Sequence, residues 1–329
     1  MSFVIRGTAL RRIAAAVALA CLCTQAFAQM PVRAYTERAY DPPVGSRWAV
    51  VSRTDTEENR GPDPTTMRRL ETRYEFSIDE KLADGFRISY VMREIKMTGT
   101  APTNAIAEKA FGAMKDIVIR GRTNAAGKPL AVENIDEVKS NVRVVVDNLV
   151  RAFDKNPKIA ELIRQMLEGF MIVDGPQAAE TYMEDMPVLA AGQSTGIMPD
   201  AVKRQDEAVP SPLGAGSIKS TLETRIESFD AAAGNVRYIR KRVFDPAAMK
   251  TVVVSLAEKM IAAVGSQTIP PEVLSQIKDV SLEIESEMVI TVEAGMTRTI
   301  DDRSVTTARL MGRTMRKIEK KTMSVTRMN

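Results

Sequence analysis

From Arg68 to Asp79 the chain alternates without a break. Leu70, Thr72, Tyr74, Phe76 and Ile78 fall on one side, and Arg69, Glu71, Arg73, Glu75 and Ser77 on the other. A period of two is the signature of a half-buried strand and is incompatible with a helix of 3.6 residues per turn. "KLADG" (Lys81–Gly85) turns the chain and "FRISYVMREIKM" (Phe86–Met97) returns. The pair predicts an antiparallel hairpin with one apolar face and one charged face.

The same phrase is written twice. "LETR" occurs at Leu70–Arg73 and again at Leu222–Arg225, inside "STLETRIESFD" (Ser220–Asp230), which a turn joins to "VRYIRKRVF" (Val236–Phe244). In both copies an Asp closes the first strand and a Gly ends the turn. Upstream, Val188–Gly196 stands where Pro43–Val51 stands in the first copy. Downstream, helical stretches lead into further strands: Thr103–Asp116, then "IVIRGRT" and "PLAVEN", in the first half; Ala247–Val264 and Pro270–Asp279, then "SLEIESEMVITVEAG" and "MTRTIDDRSVTTA", in the second. Between the halves Val138, Val142, Val145, Leu149 and Phe153 recur at helical spacing, followed by Asn156–Phe170. Arg309–Met328 is open to two readings: Met311, Met315, Ile318, Thr322 and Val325 would line a helix face, while its Thr and Lys content and the neighbouring strands favour a strand at a sheet edge. The fold predicted is α+β: two duplicated halves, 29–185 and 186–329, each a curved antiparallel sheet with amphipathic helices packed on one face.

The first 28 residues read as an export signal. Arg6, Arg11 and Arg12 precede the apolar run Ile13–Cys23, and "AFA" (Ala26–Ala28) offers small residues for cleavage. The run is too short to span a bilayer comfortably, and no later stretch reaches the roughly 20 apolar residues a membrane helix needs. Cleavage near Gln29 gives a periplasmic protein; cleavage at Cys21 or Cys23, which would leave a lipid anchor, fits the flanking residues less well. Both cysteines lie in this signal, so the mature chain has no thiol and no disulfide. Lys and Arg total 46 against 42 Asp and Glu, and removing the three signal arginines leaves 43 against 42. That balance gives no electrostatic footprint for nucleic acid. One local bias remains: from Arg303 through Arg327, both included, there are eight basic residues and one acid, Glu319, either a solvated sheet face or a contact for a partner protein or anionic lipid.

Histidine is absent, which with the missing thiol removes Ser-His-Asp and Cys-His catalysis and His-based zinc sites. "SQIK" (Ser275–Lys278) has Ser-x-x-Lys spacing but none of the companion elements of a serine–lysine hydrolase. Asp301 and Asp302 lack the converging oxygens a hard cation needs. Met183 and Met186 are spaced for a soft metal, yet methionine more often fills irregular cores or lines surfaces that accept variable apolar ligands. No cofactor and no metal is expected. The apolar strand faces remain, and Trp48, Tyr74, Phe76, Phe86 and Tyr90 are the candidate lining of an apolar groove.

An export signal, long antiparallel strands and amphipathic helices, together with "PVGSRW" (Pro43–Trp48) opening a strand before a charged hairpin, resemble the LolA/LolB-like half-barrel carriers of bacterial envelopes and related exported proteins. The resemblance is architectural, covers Pro43 to the C-terminus and transfers no functional residue. The duplication and the lack of a convincing anchoring cysteine depart from it. It implies a lipid or acylated ligand and no catalysis. The expected function is therefore a non-enzymatic periplasmic binding or carrier protein; the alternative is an envelope interaction protein that meets a partner through its basic C-terminal segment.

Overall fold

The computed structural model describes residues 37–61, 64–100, 104–153, 157, 160–161, 164, 173–183, 186–192, 196–210, 217–251, 281–310 and 313–328. The residues read as an export signal, Ser275–Lys278 and most of the stretches read as helices at 156–170, 247–264 and 270–279 lie outside the described residues.

The alternating stretches become strands, and there are more of them than the hairpins announced. In chain order they are β1 (Arg47–Asn59), β2 (Thr66–Lys81), β3 (Gly85–Gly99), β4 (Val118–Asn124), β5 (Pro129–Val132), β6 (Val202–Pro210), β7 (Ser217–Asp230), β8 (Asn235–Phe244), β9 (Ser281–Glu293), β10 (Met296–Leu310) and β11 (Arg313–Met328). Three helices have continuously described backbones: α1 (Asn104–Gly112), α2 (Ile135–Ala152) and α3 (Gly175–Tyr182). A 3-10 turn follows at Met186–Ala190.

The α+β expectation is corrected here. The strands form one eleven-stranded antiparallel sheet in the order β5-β4-β3-β2-β1-β11-β10-β9-β8-β7-β6, and among the described residues there is no pair of separate sheets, each backed by several helices. The physical reason is one long-range pairing. β1 and β11 run antiparallel from Arg47↔Met328 to Asn59↔Arg316, fusing the two halves at the centre of the sheet. Alternation reports which face of a strand is buried but not which strand lies beside it. Arg313–Met328 is a strand as expected, but a central one. The strand before the second LETR is β6, 202–210, and not the Val188–Gly196 segment. "VKRQDEAVP" is polar at five consecutive positions, Lys203–Glu207, so it offers no alternation to read.

Local chemistry sets the hairpins. Between β7 and β8, Asp230 accepts hydrogen bonds from the Ala232 and Ala233 amides (2.9 and 3.2 Å), and Gly234 closes the turn with φ +70°. Between β9 and β10 the two-residue turn Ala294–Gly295 has φ of +50° and +81°, the mirror-image turn that matches the right-handed twist of paired strands.

The sheet curls. Arg38 lies beside the β7–β8 turn, where a carbon added to Gly234 would stand 2.7 Å from its guanidinium. Tyr40 lies beside the β4–β5 turn, 3.1 Å from such a carbon on Gly127, with its ring edge-on to Phe86 at 5.4 Å. In a flat sheet β4 and β8 would be about 34 Å apart, seven steps of about 4.8 Å. Two residues of extended chain span only about 7 Å, and even with the reach of the Arg38 and Tyr40 side chains added this falls well short of that distance, so the two regions have been brought toward each other. The 3-10 segment crosses the same interior. Ala190 packs on Gly127, while Gly192 lies against Val292, Ile290 and Tyr238.

Register fixes what faces in and what faces out. The row Thr72–Ser52–Met323–Ile300–Ile290–Tyr238 points inward, and all six side chains are buried. The row Arg204–Glu223–Lys241–Glu287–Arg303–Lys320–Asp55–Arg69 points outward. Its charges largely alternate in sign, with ion pairs Arg204–Glu223 at 2.8 Å and Arg69–Asp55 at 2.7 Å. In this row Arg303 of β10 and Lys320 of β11 are neighbours, flanked by Glu287 of β9 and Asp55 of β1. Both LETR phrases present their Leu and Thr inward and occupy the second strand of their half.

Candidate functional site: an apolar cavity between sheet and helices

Helix α2 carries the periodicity read from the sequence. Val138, Val142, Val146 and Leu149 are buried, with Val146 rather than Val145 completing the stripe. Asp136 and Glu137 in the first turn and Arg151 in the last suit the helix dipole. The valines face the inner side of β2–β4 without meeting it everywhere, and a cavity of about 300 Å³ remains.

Its floor is Leu70, Thr72 and Tyr74 of β2, Tyr90, Met92, Ile95 and Met97 of β3, and Ile119 of β4. Its roof is Phe111 of α1, Met114 and Ile117 of the following turn, Val138 and Val142 of α2, and Thr181 and Tyr182 at the end of α3. A β-bulge shapes this floor. Opposite Arg73 and Tyr74 the β3 register skips from Glu94 to Met92, leaving Arg93 unpaired in the ladder. The extra residue reverses the alternation, so even-numbered Tyr90 and Met92 and odd-numbered Ile95 and Met97 all reach the same space. Arg93 itself holds Glu75 (3.1 Å) and Asp116 (2.8 Å), tying the end of the α1 turn to the sheet.

Polar atoms in the lining are few. Thr72, Tyr74, Tyr90, Thr181 and Tyr182 are the hydroxyl-bearing residues of the lining, and burial, followed by the nearby Asp174 charge, pushes the Tyr182 phenol up to about 12. It is therefore neutral near physiological pH, and the walls carry no formal charge.

Of the five aromatic residues expected to line a groove, two do so. Tyr74 and Tyr90 stack at 5.2 Å along the cavity wall. Phe76 lies behind Tyr90 at 5.0 Å and is fully buried. Trp48 is opposite Phe76 in the register, donates from Nε1 to Ser46 Oγ at 3.0 Å, and has the Arg327 guanidinium 6.0 Å from its ring centroid. Phe86 packs on Tyr40. These three fill the closed end of the curled sheet. The lining residues that sequence reasoning missed are mostly Met92, Ile95, Met97, Phe111 and Met114. Their one legible signal was the abundance of methionine.

Met183 and Met186 are both buried, and Met183 Sδ lies against Gly121, so they serve as core filling. Among the described residues no group of three or more His, Cys, Asp or Glu side chains could hold a metal. Asp301 faces outward, whereas Asp302 belongs to an inward row, Thr54–Lys321–Asp302–Met288–Arg240. Burial raises the Asp302 carboxyl above its ordinary value, against the pull of Lys321 and Arg242. Burial also lowers Arg240, which makes no ion pair among the described residues and whose Nε has no hydrogen-bond partner.

No protein-family model matches the chain, so none supports the LolA/LolB resemblance, and no curated protein matches. Several solved structures are similar at low level, three of them as follows. One, described as lipid-protein interactions in lipovitellin, aligns with TM-score 0.38 and 9% identity over 87% of this chain. The chain spans 25% of that lipovitellin chain. DynF from the dynemicin biosynthesis pathway of Micromonospora chersina aligns with TM-score 0.18 and 8% identity, covering 88% of this chain and 85% of its own. An outer membrane channel from Pseudomonas putida F1 aligns with TM-score 0.19 and 5% identity, covering 87% and 97%. TM-scores below 0.5 establish no common fold. Among the described residues no helix is long and apolar enough to cross a membrane. The alternating charges of the outward row are also the reverse of the apolar outer band of a membrane barrel.

Proposed function

We propose that this is an exported, periplasmic binding or carrier protein for an apolar ligand, and that the ligand's acyl chain occupies the cavity between β2–β4 and the helices. The observation that carries the reading is the cavity itself: about 300 Å³ of space at the lower end of the range of small-molecule sites, walled by uncharged, mainly apolar side chains. Burial of the chain supplies the affinity, roughly 0.8 kcal/mol per methylene, and the roles assigned to residues are packing roles without covalent chemistry. The export signal in the sequence supports the location.

The test begins with protein purified without detergent from a periplasmic extract, its bound material extracted with organic solvent and identified by mass spectrometry. Thr72→Trp serves as the comparison, because Thr72 faces the cavity from a strand and an aromatic residue suits a strand position. A near-stoichiometric lipid on the natural protein, lost from the folded Thr72→Trp protein, is the expected result. A clean extract from well-folded natural protein overturns the reading and turns attention to protein partners.

A further inference from the structure

The cavity does not end among apolar side chains. Ile95 and Met97 are shared with a second, open groove of about 600 Å³, which continues along α1 past Asn104, Glu108, Lys109 and Lys115. The charged groups of this mouth are one carboxylate and two ammoniums, Glu108, Lys109 and Lys115, with Thr98 and Asn104 beside them. Glu108 is its acid, and that carboxylate already accepts the Met97 backbone N–H at 2.8 Å. Asp116, next to Lys115, is held by Arg93 at 2.8 Å. What faces the groove unengaged by acids is cationic or a donor. Lys109 Nζ stands 5.1 Å from the Phe153 ring centroid, which positions the ammonium without neutralising it. Asn104 is buried, and its Nδ2 has no hydrogen-bond partner, although buried donors are nearly always satisfied.

We infer that the ligand is a single-chain amphiphile with an anionic headgroup, its tail in the cavity and its head at α1 against Lys109, Lys115 and the Asn104 amide. This rests on the reading of the cavity as an acyl-chain site. A carboxylate and a phosphate share the chemistry: each offers several acceptor oxygens and a charge that two ammonium groups and an amide donor complement.

The test is displacement of the neutral fluorophore N-phenyl-1-naphthylamine by dodecanol, dodecanoate or monododecyl phosphate, which carry equal tails. The proteins are the natural chain, the Lys109→Met/Lys115→Met double variant and Asn104→Asp, with folding checked by circular dichroism. On the natural chain at least one anion should displace the dye at about tenfold lower concentration than dodecanol, equivalent to about 1.4 kcal/mol. The better anion separates a free fatty acid from a phospholipid source. Both variants should lose that advantage while dodecanol is unaffected. If dodecanol competes as well as both anions, or the anion advantage survives in both variants, the headgroup site is refuted and the cavity reading stands. If the dye binds and no amphiphile displaces it, or the dye does not bind at all, the cavity reading fails and this inference fails with it.

Discussion

Replacing Tyr90 with Leu tests whether the aromatic column is structural cement at the edge of a usable space. Tyr90 is buried and makes two ring contacts, with Tyr74 at 5.2 Å and with Phe76 at 5.0 Å. Leucine keeps most of the apolar burial and removes both contacts. At roughly 0.5–1.5 kcal/mol per aromatic pair beyond area burial, the loss is about 1–3 kcal/mol. For a chain of this size that lowers Tm by roughly 2–4 °C per kcal/mol, hence by about 2–12 °C in a thermal melt followed by far-ultraviolet circular dichroism. Tyr90→Phe retains both ring contacts and isolates the hydroxyl, and it should stay within about 1 kcal/mol of the natural chain. A double-mutant cycle with Tyr74→Leu should return a coupling of about 0.5–1.5 kcal/mol. Strictly additive effects, or a Tyr90→Leu protein that melts with the natural one, would refute the reasoning. The space vacated joins the cavity, so the variant should also accept a longer acyl chain than the natural protein.

Three further outcomes follow from the interior. Gly121→Ala places a carbon 2.5 Å from Met183 Sδ and 2.7 Å from the Ala131 carbonyl oxygen; overpacking of this kind costs about 1–3 kcal/mol, and a lowered urea midpoint checks it. Arg240→Met removes a half-buried guanidinium whose Nε has no hydrogen-bond partner, and stability should rise by up to about 4 kcal/mol, read as a raised urea midpoint; a fall would mean that Arg240 is compensated. For Asp302 the folded carboxyl is raised by burial, so the native state holds its proton more tightly than the unfolded chain and stability falls as pH rises through the folded value. Asp302→Asn should therefore be more stable than the natural chain at pH 7 and lose that margin toward pH 4. A margin that grows on acidification would contradict the burial argument.

The halves differ in how openly they were written. Leu70, Thr72, Tyr74, Phe76 and Ile78 declare both the strand and its buried face, and the outward charges declare the solvated one, because period-two burial is a local property that neighbours along the chain express directly. The stripe Val138, Val142 and Leu149 is legible in the same way at helical period. β6 was not legible, since a polar edge strand buries too little to leave a pattern.

The sequence by itself therefore determined that long strands exist, which side of each is apolar, where the hairpins turn and that helices must cover something. Only the tertiary structure decided what those faces enclose. The β1–β11 pairing joins residues more than 250 positions apart and makes one sheet of two halves. The curl brings Tyr40 and the 3-10 segment onto the closed end, so that Trp48, Phe76 and Phe86 become packed core while Tyr74 and Tyr90 border open space. The bulge at Arg93 reverses the strand's phase and delivers Ile95 and Met97 to the same cavity as Met92. Each of these depends on which distant surfaces meet and where packing falls short of filling the space between them, and a gap between surfaces leaves no pattern along a single strand.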